Sequence, residues 1–173
     1  GEQGEFLAAY TKVGLGLSRI AILSDGSAYG DLLKTHFLGE ASRLGLELVE
    51  NISINPTSAE AAEAVGLIKG KAPEATLLAA LPRNASLFLV EHRRQQVGGV
   101  VLGSDQLADL DFYEMAGEAA DGLLVCQPIL FDRKDPEKSE FVGKFEQFSK
   151  SSPDWIAVAG YDAMRLAMEV LSR

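Results

Sequence analysis

Hydrophobic positions in this chain alternate between two habits, short unbroken runs and longer stretches with helical spacing. Ile20-Ala21-Ile22-Leu23 is the first run, of the kind expected for a strand covered on both faces in a parallel sheet. A polar turn, Ser24-Asp25-Gly26-Ser27, follows it. The spacing then predicts a helix from Ala28 to Leu44, with Leu33, Phe37, Ala41 and Leu44 as its stripe and Gly45 as its stop. Leu46 to Ile54 reads as a second strand, ended by Pro56. Thr57-Ser58-Ala59-Glu60 has the spacing of a capping box, opening a helix through Ala61, Ala64, Val65 and Ile68 that stops near Gly70. Ala75 to Leu81 is a third strand, with Pro82-Arg83-Asn84 read as the turn after it. Leu87, Val90 and Glu91 to Gln96 belong to the next helix. Val100-Val101-Leu102 is strand four, Gly103-Ser104-Asp105 its turn, and a short helix covers Asp111 to Ala116. Gly122 to Cys126 is strand five.

Beyond Pro128 the pattern changes. Ile129 to Lys134 has a mixed, loop-like composition. Asp135-Pro136 then supplies an N-cap and a first-turn proline for a helix striped by Phe141, Phe145 and Phe148. Ser152-Pro153 opens a last helix, with Ala157, Tyr161, Met164, Met168 and Leu171 on one side. At the other end, Phe6 to Val13 has helical spacing, with Phe6, Leu7, Tyr10 and Val13 on one face. The expected fold class is α/β: a three-layer, Rossmann-like domain around a parallel sheet of about five strands. Residues 1–173 read as one lobe, with 1–128 as its core and 129–173 as a linker plus two helices.

Bulk properties narrow the function. The 173 residues suffice for one domain with a real core, and the formal charge of −9 with scattered basic residues argues against nucleic-acid binding. No apolar run approaches the length of a membrane span. The first residues, Gly1-Glu2-Gln3-Gly4-Glu5, do not read as a signal peptide, and a start other than methionine leads to the expectation of a processed or excised chain. The single cysteine, Cys126, lies in an apolar run and reads as a buried small residue. Gly14-Leu15-Gly16 precedes the first strand, whereas a dinucleotide-binding glycine motif must follow one, so no nucleotide cofactor is expected. Neither a nucleophile elbow nor a phosphate loop occurs. His36 and His92 both read as helix-surface residues, and no cluster of metal-ligating residues is seen, so no metal and no catalytic residues are expected.

What remains are the turns after the strands, which in a parallel sheet open on one edge where ligands bind. Ser24, Asp25, Ser27 and Tyr29 follow strand one, Arg83 strand three, and Ser104 and Asp105 strand four. Hydroxyls, a phenol and a carboxylate suit a small polar ligand, above all one with an ammonium group. Asp25 reads as a residue stabilising its own turn. For Asp105, turn chemistry and ligand contact stand side by side. Tyr29 reads either as a site residue or as a core aromatic with its hydroxyl in water.

Several stretches together resemble the ligand-binding receptors of the leucine/isoleucine/valine-binding type, the type 1 periplasmic binding proteins of amino-acid ABC transporters. They are Arg19-Ile-Ala-Ile-Leu, Tyr29-Gly30 opening a helix, Leu102-Gly103-Ser104-Asp105, Gly117 to Leu123, and Pro153-Asp154 with Gly160-Tyr161-Asp162-Ala163. The resemblance covers nearly the whole chain and implies the second of two Rossmann-like lobes. It implies ligand contacts by Tyr29 and Asp105, the latter with the amino group of an amino acid; Ser104, Ser27 and Arg83 join them as candidates from the strand-end turns. Leu81-Pro82-Arg83 departs from the aromatic residue common after strand three in branched-chain binders, and Arg83 reads either as a carboxylate contact or as a surface arginine.

The resemblance further implies a periplasmic or extracytoplasmic setting, a membrane permease as the partner of the full-length receptor, and no catalysis. With only one lobe present, weak or undetectable binding is expected of this chain alone. The last two helices, which in the family pack on the first lobe, are expected to fold back on the sheet or to pair with a second copy as a homodimer. The rival readings are a flavodoxin-like or dehydrogenase-like enzyme domain, and a receptor-like interaction domain without a ligand.

Overall fold

The apolar runs become five parallel strands in the order β2-β1-β3-β4-β5: β1 (Arg19–Ser24), β2 (Glu47–Ser53), β3 (Ala75–Ala79), β4 (Val100–Gly103) and β5 (Leu123–Val125). The computed structural model describes residues 2–127 and 136–171. By its contacts the chain divides into two units, Gly1–Cys126 and Gln127–Arg173, and the sheet lies wholly in the first. The α/β class and the parallel five-stranded sheet are as expected from the pattern.

β1 is nearly solvent-free, and its side chains divide between two cores as a pleated strand requires. Ile20 and Ile22 face a core shared with Leu7, Ala8, Leu33, Phe37 and Cys126, roofed by α1 (Glu2–Ala9) and α2 (Ala28–Arg43). Ala21 and Leu23 face the opposite core, built with α3 (Ser58–Lys71), α4 (Pro82–Arg94) and α5 (Leu110–Ala116). After β2 the chain crosses back over β1 to lay down β3, so the strand order reverses between β1 and β3. Crevices open at the carboxyl ends of strands at such a switch point.

Local chemistry explains the element boundaries. Thr57 and Glu60 form the full capping box of α3. Ser27 caps α2 by accepting the Gly30 N–H at 3.0 Å. Gly30 itself is dictated by packing: a Cβ there would stand 2.2 Å from the Ala79 carbonyl oxygen and 2.9 Å from Asp25 Oδ1. Only a glycine lets the first turn of α2 press on the end of β3.

Three details differ from the sequence reading. β3 ends at Ala79, and Pro82, Arg83 and Asn84 form the first turn of α4 rather than a loop, since proline suits a first helical position. His92 is fully buried rather than on a solvated face; α4 is rotated so that its imidazole faces β3, with Nε2 3.4 Å from Thr76 Oγ1. On α1 the buried side is Gly4, Leu7 and Ala8, continued by Thr11, while Phe6, Tyr10 and Val13 face solvent. There the helix continues into a π-helical turn, Tyr10–Gly14.

The second unit holds α6 (Pro136–Ser149) and α7 (Trp155–Leu171). Phe141 stacks on Tyr161 with ring centroids 4.3 Å apart, and Val142 and Val158 are buried. Met164, Met168 and Leu171 are exposed within this unit, as is Phe148. The expected loop over Ile129 to Lys134 and the expected N-cap at Asp135 lie outside the described residues. Among the described residues no helix is long and apolar enough to cross a membrane.

Candidate functional site

The first strand-end turn is held by Asp25, which is 6% exposed. Its Oδ1 accepts the Ser27 N–H at 3.0 Å and the Ser27 hydroxyl at 2.6 Å. Its Oδ2 accepts the Leu81 N–H at 2.9 Å and Asn84 Nδ2 at 3.1 Å. Burial alone would raise the Asp25 pKa, but these donors, Ser27 foremost, outweigh it and hold the carboxyl below its ordinary value. Asp25 is therefore a clasp that ties the turn after β1 to the start of α4. Ser27, offered by the sequence as a ligand contact, has its proton committed to Asp25 and an acceptor position to the Gly30 amide.

Two residues beyond this cap, Tyr29 reaches across the sheet edge. Its hydroxyl donates to Asp105 Oδ1 at 2.8 Å, joining the turn after β1 to the turn after β4 across 76 positions of sequence. Asp105 opens a short 3-10 turn, Asp105–Leu107, one residue after β4 and is 9% exposed. Ser104 beside it is fully buried; among the described residues its Oγ makes no hydrogen bond of good geometry, and its polar neighbour is the Tyr29 hydroxyl. Cys126, at the end of β5, completes this edge and is 8% exposed.

The electrostatics follow from that crowding. Burial, reinforced by the Asp105 charge and opposed by the Ser104 hydroxyl, pushes the Tyr29 phenol well above its ordinary pKa. Burial and the same carboxylate push the Cys126 thiol up to about 11. Both groups are thus neutral at physiological pH.

The structure brings Tyr29, Ser104 and Asp105 together on one edge. Arg83 is exposed on the first turn of α4, where its carbonyl accepts the Ser86 hydroxyl at 2.7 Å, and no hydrogen bond joins it to Tyr29 or Asp105. Two neighbours were missed by sequence reasoning. Cys126 could have been found by the rule that placed Asp105, since it also follows a strand at the carboxyl edge. Gln3, whose side-chain Oε1 lies 3.4 Å from the Tyr29 hydroxyl, carried no such signal, because it precedes the first strand on α1.

In chemical terms the edge offers a carboxylate, a phenol already turned toward it, and a buried hydroxyl with a proton to give. Among the described residues no group of His, Cys, Asp and Glu could hold a metal ion. A family model for periplasmic binding proteins matches residues 2–173. The chain belongs to the periplasmic binding protein family.

Solved structures of such receptors share its fold. A leucine-binding protein from Thermotoga maritima superposes with a TM-score of 0.85 at 20% identity, covering 99% of this chain and 49% of its own. An ABC transporter substrate-binding protein from Desulfitobacterium hafniense, in complex with Leu, gives 0.75 at 22% identity, covering 98% and 48%. An ABC-transporter solute-binding protein from R. palustris, in complex with benzoate, gives 0.80 at 24% identity, covering 95% and 45%. The chain thus spans a little under half the length of these receptors. Among curated proteins none matches.

Proposed function

We propose that this chain is the solute-recognition lobe of an extracytoplasmic ABC-transporter receptor, that it grips the ammonium end of a small amino acid, and that it catalyses no reaction. Family membership supports a receptor role, and an extracytoplasmic place and a permease partner come with it. The observation that carries the ligand class is the Tyr29–Asp105 pair, a largely buried carboxylate at the switch-point edge with a phenol donating to one of its oxygens. A desolvated carboxylate attracts an ammonium group far more strongly than one in water. The Ser104 hydroxyl adds a donor or acceptor on the same sheet edge.

Relatives of the same fold are known in complex with leucine and with benzoate, and the charge here separates the two. Benzoate has no cation to offer Asp105, and its own carboxylate would be repelled there. Leucine has the cation. Arg83, exposed on the first turn of α4, then serves as the outer contact for the ligand's carboxylate.

The test is an NMR titration of the chain with L-leucine, with benzoate as counter-probe. Because such receptors close two lobes on a ligand, binding by one lobe is expected only in the millimolar range. Leucine should shift the amide signals of Tyr29, Ser104 and Asp105, Asp105→Asn should remove the shifts, and benzoate should leave them in place. Free amino acids that leave those signals unmoved at saturating concentration, or benzoate that moves them, would overturn the assignment.

A further inference from the structure

The hydroxyl of Tyr29 has two close neighbours besides Ser104: Asp105 Oδ1 at 2.8 Å and the Gln3 side-chain amide, with Oε1 at 3.4 Å. A phenol has one proton, and the shorter, charge-assisted contact takes it. Toward Gln3 the hydroxyl can therefore only accept. Side-chain amide oxygen and nitrogen are interchangeable by a half-turn, so the stable arrangement presents the Gln3 NH2 to the Tyr29 oxygen. We infer that Gln3 is a positioning residue, whose N–H holds the Tyr29 hydroxyl with its proton aimed at Asp105.

The surrounding packing fits this role. Gly4 lets α1 lie directly on α2: a Cβ there would stand 2.6 Å from the Leu33 carbonyl oxygen and 2.8 Å from the Phe37 amide nitrogen. That contact sets the residue before it, Gln3, at a fixed height beside the first turn of α2. The consequence is a relay, Gln3 N–H to Tyr29 O–H to Asp105 Oδ1, that occupies one carboxylate oxygen and leaves Oδ2 for a ligand cation. This step rests on the reading of Asp105 as the ligand's partner, but the relay itself exists without any ligand.

The test uses the ligand-free chain with tyrosines labelled at 13Cζ, a nucleus that reports the hydrogen bonding of the phenol. There are four tyrosines, so the Tyr29 signal is identified by its loss in Tyr29→Phe. Gln3→Glu keeps size and shape but supplies no donor when ionised. It should move the Tyr29 signal at neutral pH, and the signal should return toward its original place below the carboxyl pKa, where the new group regains an O–H. Gln3→Leu should move it at every pH. A Tyr29 signal unchanged in Gln3→Glu, or displaced without pH dependence, would overturn the proposal. Thermal unfolding of the same variants separates a general loss of structure from loss of the donor.

A leucine titration of Gln3→Leu is the second readout, with weakening of about fivefold expected from the loss of one net hydrogen bond. If the 13C signal responds and no amino acid binds, the relay stands and the ligand assignment fails. Leucine binding with a silent 13C signal gives the reverse.

Discussion

Gly30→Ala and Gly39→Ala make the same chemical change on the same helix and should move stability in opposite directions. Both lie inside α2, where alanine is favoured over glycine by about 1 kcal/mol. At Gly39 a new Cβ meets nothing within 4 Å, so the full propensity gain should appear. At Gly30 the methyl would sit 2.2 Å from the Ala79 oxygen and 3.1 Å from its carbonyl carbon. Both atoms are backbone of β3 and cannot swing aside as a side-chain tip would. Ordinary contact requires the first turn of α2 to lift by about an ångström, and overpacking of this sort costs about 1–3 kcal/mol, more when backbone must move. Subtracting the propensity gain leaves a net loss of about 2 kcal/mol, and a difference of about 3 kcal/mol between the variants. With a urea slope of about 1–3 kcal/mol per molar, the two denaturation midpoints should separate by about 1 M or more. If Gly30→Ala proves as stable as Gly39→Ala, the close approach of α2 to β3 is not present in the protein, and the geometry that sets Tyr29 against Asp105 loses its support.

Further outcomes follow from the buried groups. Burial, with Arg93 nearby, lowers the His92 pKa to about 4, so between that value and the ordinary 6.5 the unfolded chain binds one proton more than the native state. Stability should therefore fall as pH drops through that window, by about 3 kcal/mol in total, and His92→Gln should flatten that part of the pH–stability curve measured by urea unfolding; an unchanged slope would show that His92 is not buried as a neutral ring. Asp25→Ala strips the acceptor from the Leu81 and Ser27 amides and from Asn84, and should lower the unfolding free energy by about 2 to 3 kcal/mol, a figure near zero being incompatible with the clasp. Cys126, with its thiol pushed up to about 11 against an ordinary 9.0, should react with a disulfide reagent at pH 8 about tenfold more slowly than a free thiol once the greater nucleophilicity of its thiolate is counted, and faster in Asp105→Asn, where the neighbouring charge is gone.

Much of the architecture was legible in the linear pattern. Unbroken apolar runs such as Ile20 to Leu23 demand cover on two faces, helical spacing such as Leu33, Phe37 and Ala41 demands cover on one, and their alternation leads to a parallel sheet with helices on both sides. The capping box at Thr57 and Glu60 is a local device, and it forms as written. These inferences succeed because period and capping depend on residues within a turn or two of each other.

The site lay at the limit of that reasoning. The rule that strand ends share an edge, together with the family resemblance, is enough to name Tyr29, Ser104 and Asp105. It could not tell Ser27, spent on a helix cap, from Ser104, which keeps its hydroxyl. Nor could it show that Asp25 gathers donors from Leu81 and Asn84, that α4 begins at Pro82, or that its rotation buries His92 against Thr76. Those facts depend on strand order and helix rotation, which place groups tens of residues apart within a few ångströms. The sequence by itself determined what the segments are and which edge bears the chemistry. Only the tertiary structure decided which side chains meet there, because a hydrogen bond such as Tyr29 to Asp105 requires two turns on separate strands to converge, and no periodicity along the chain encodes that distance.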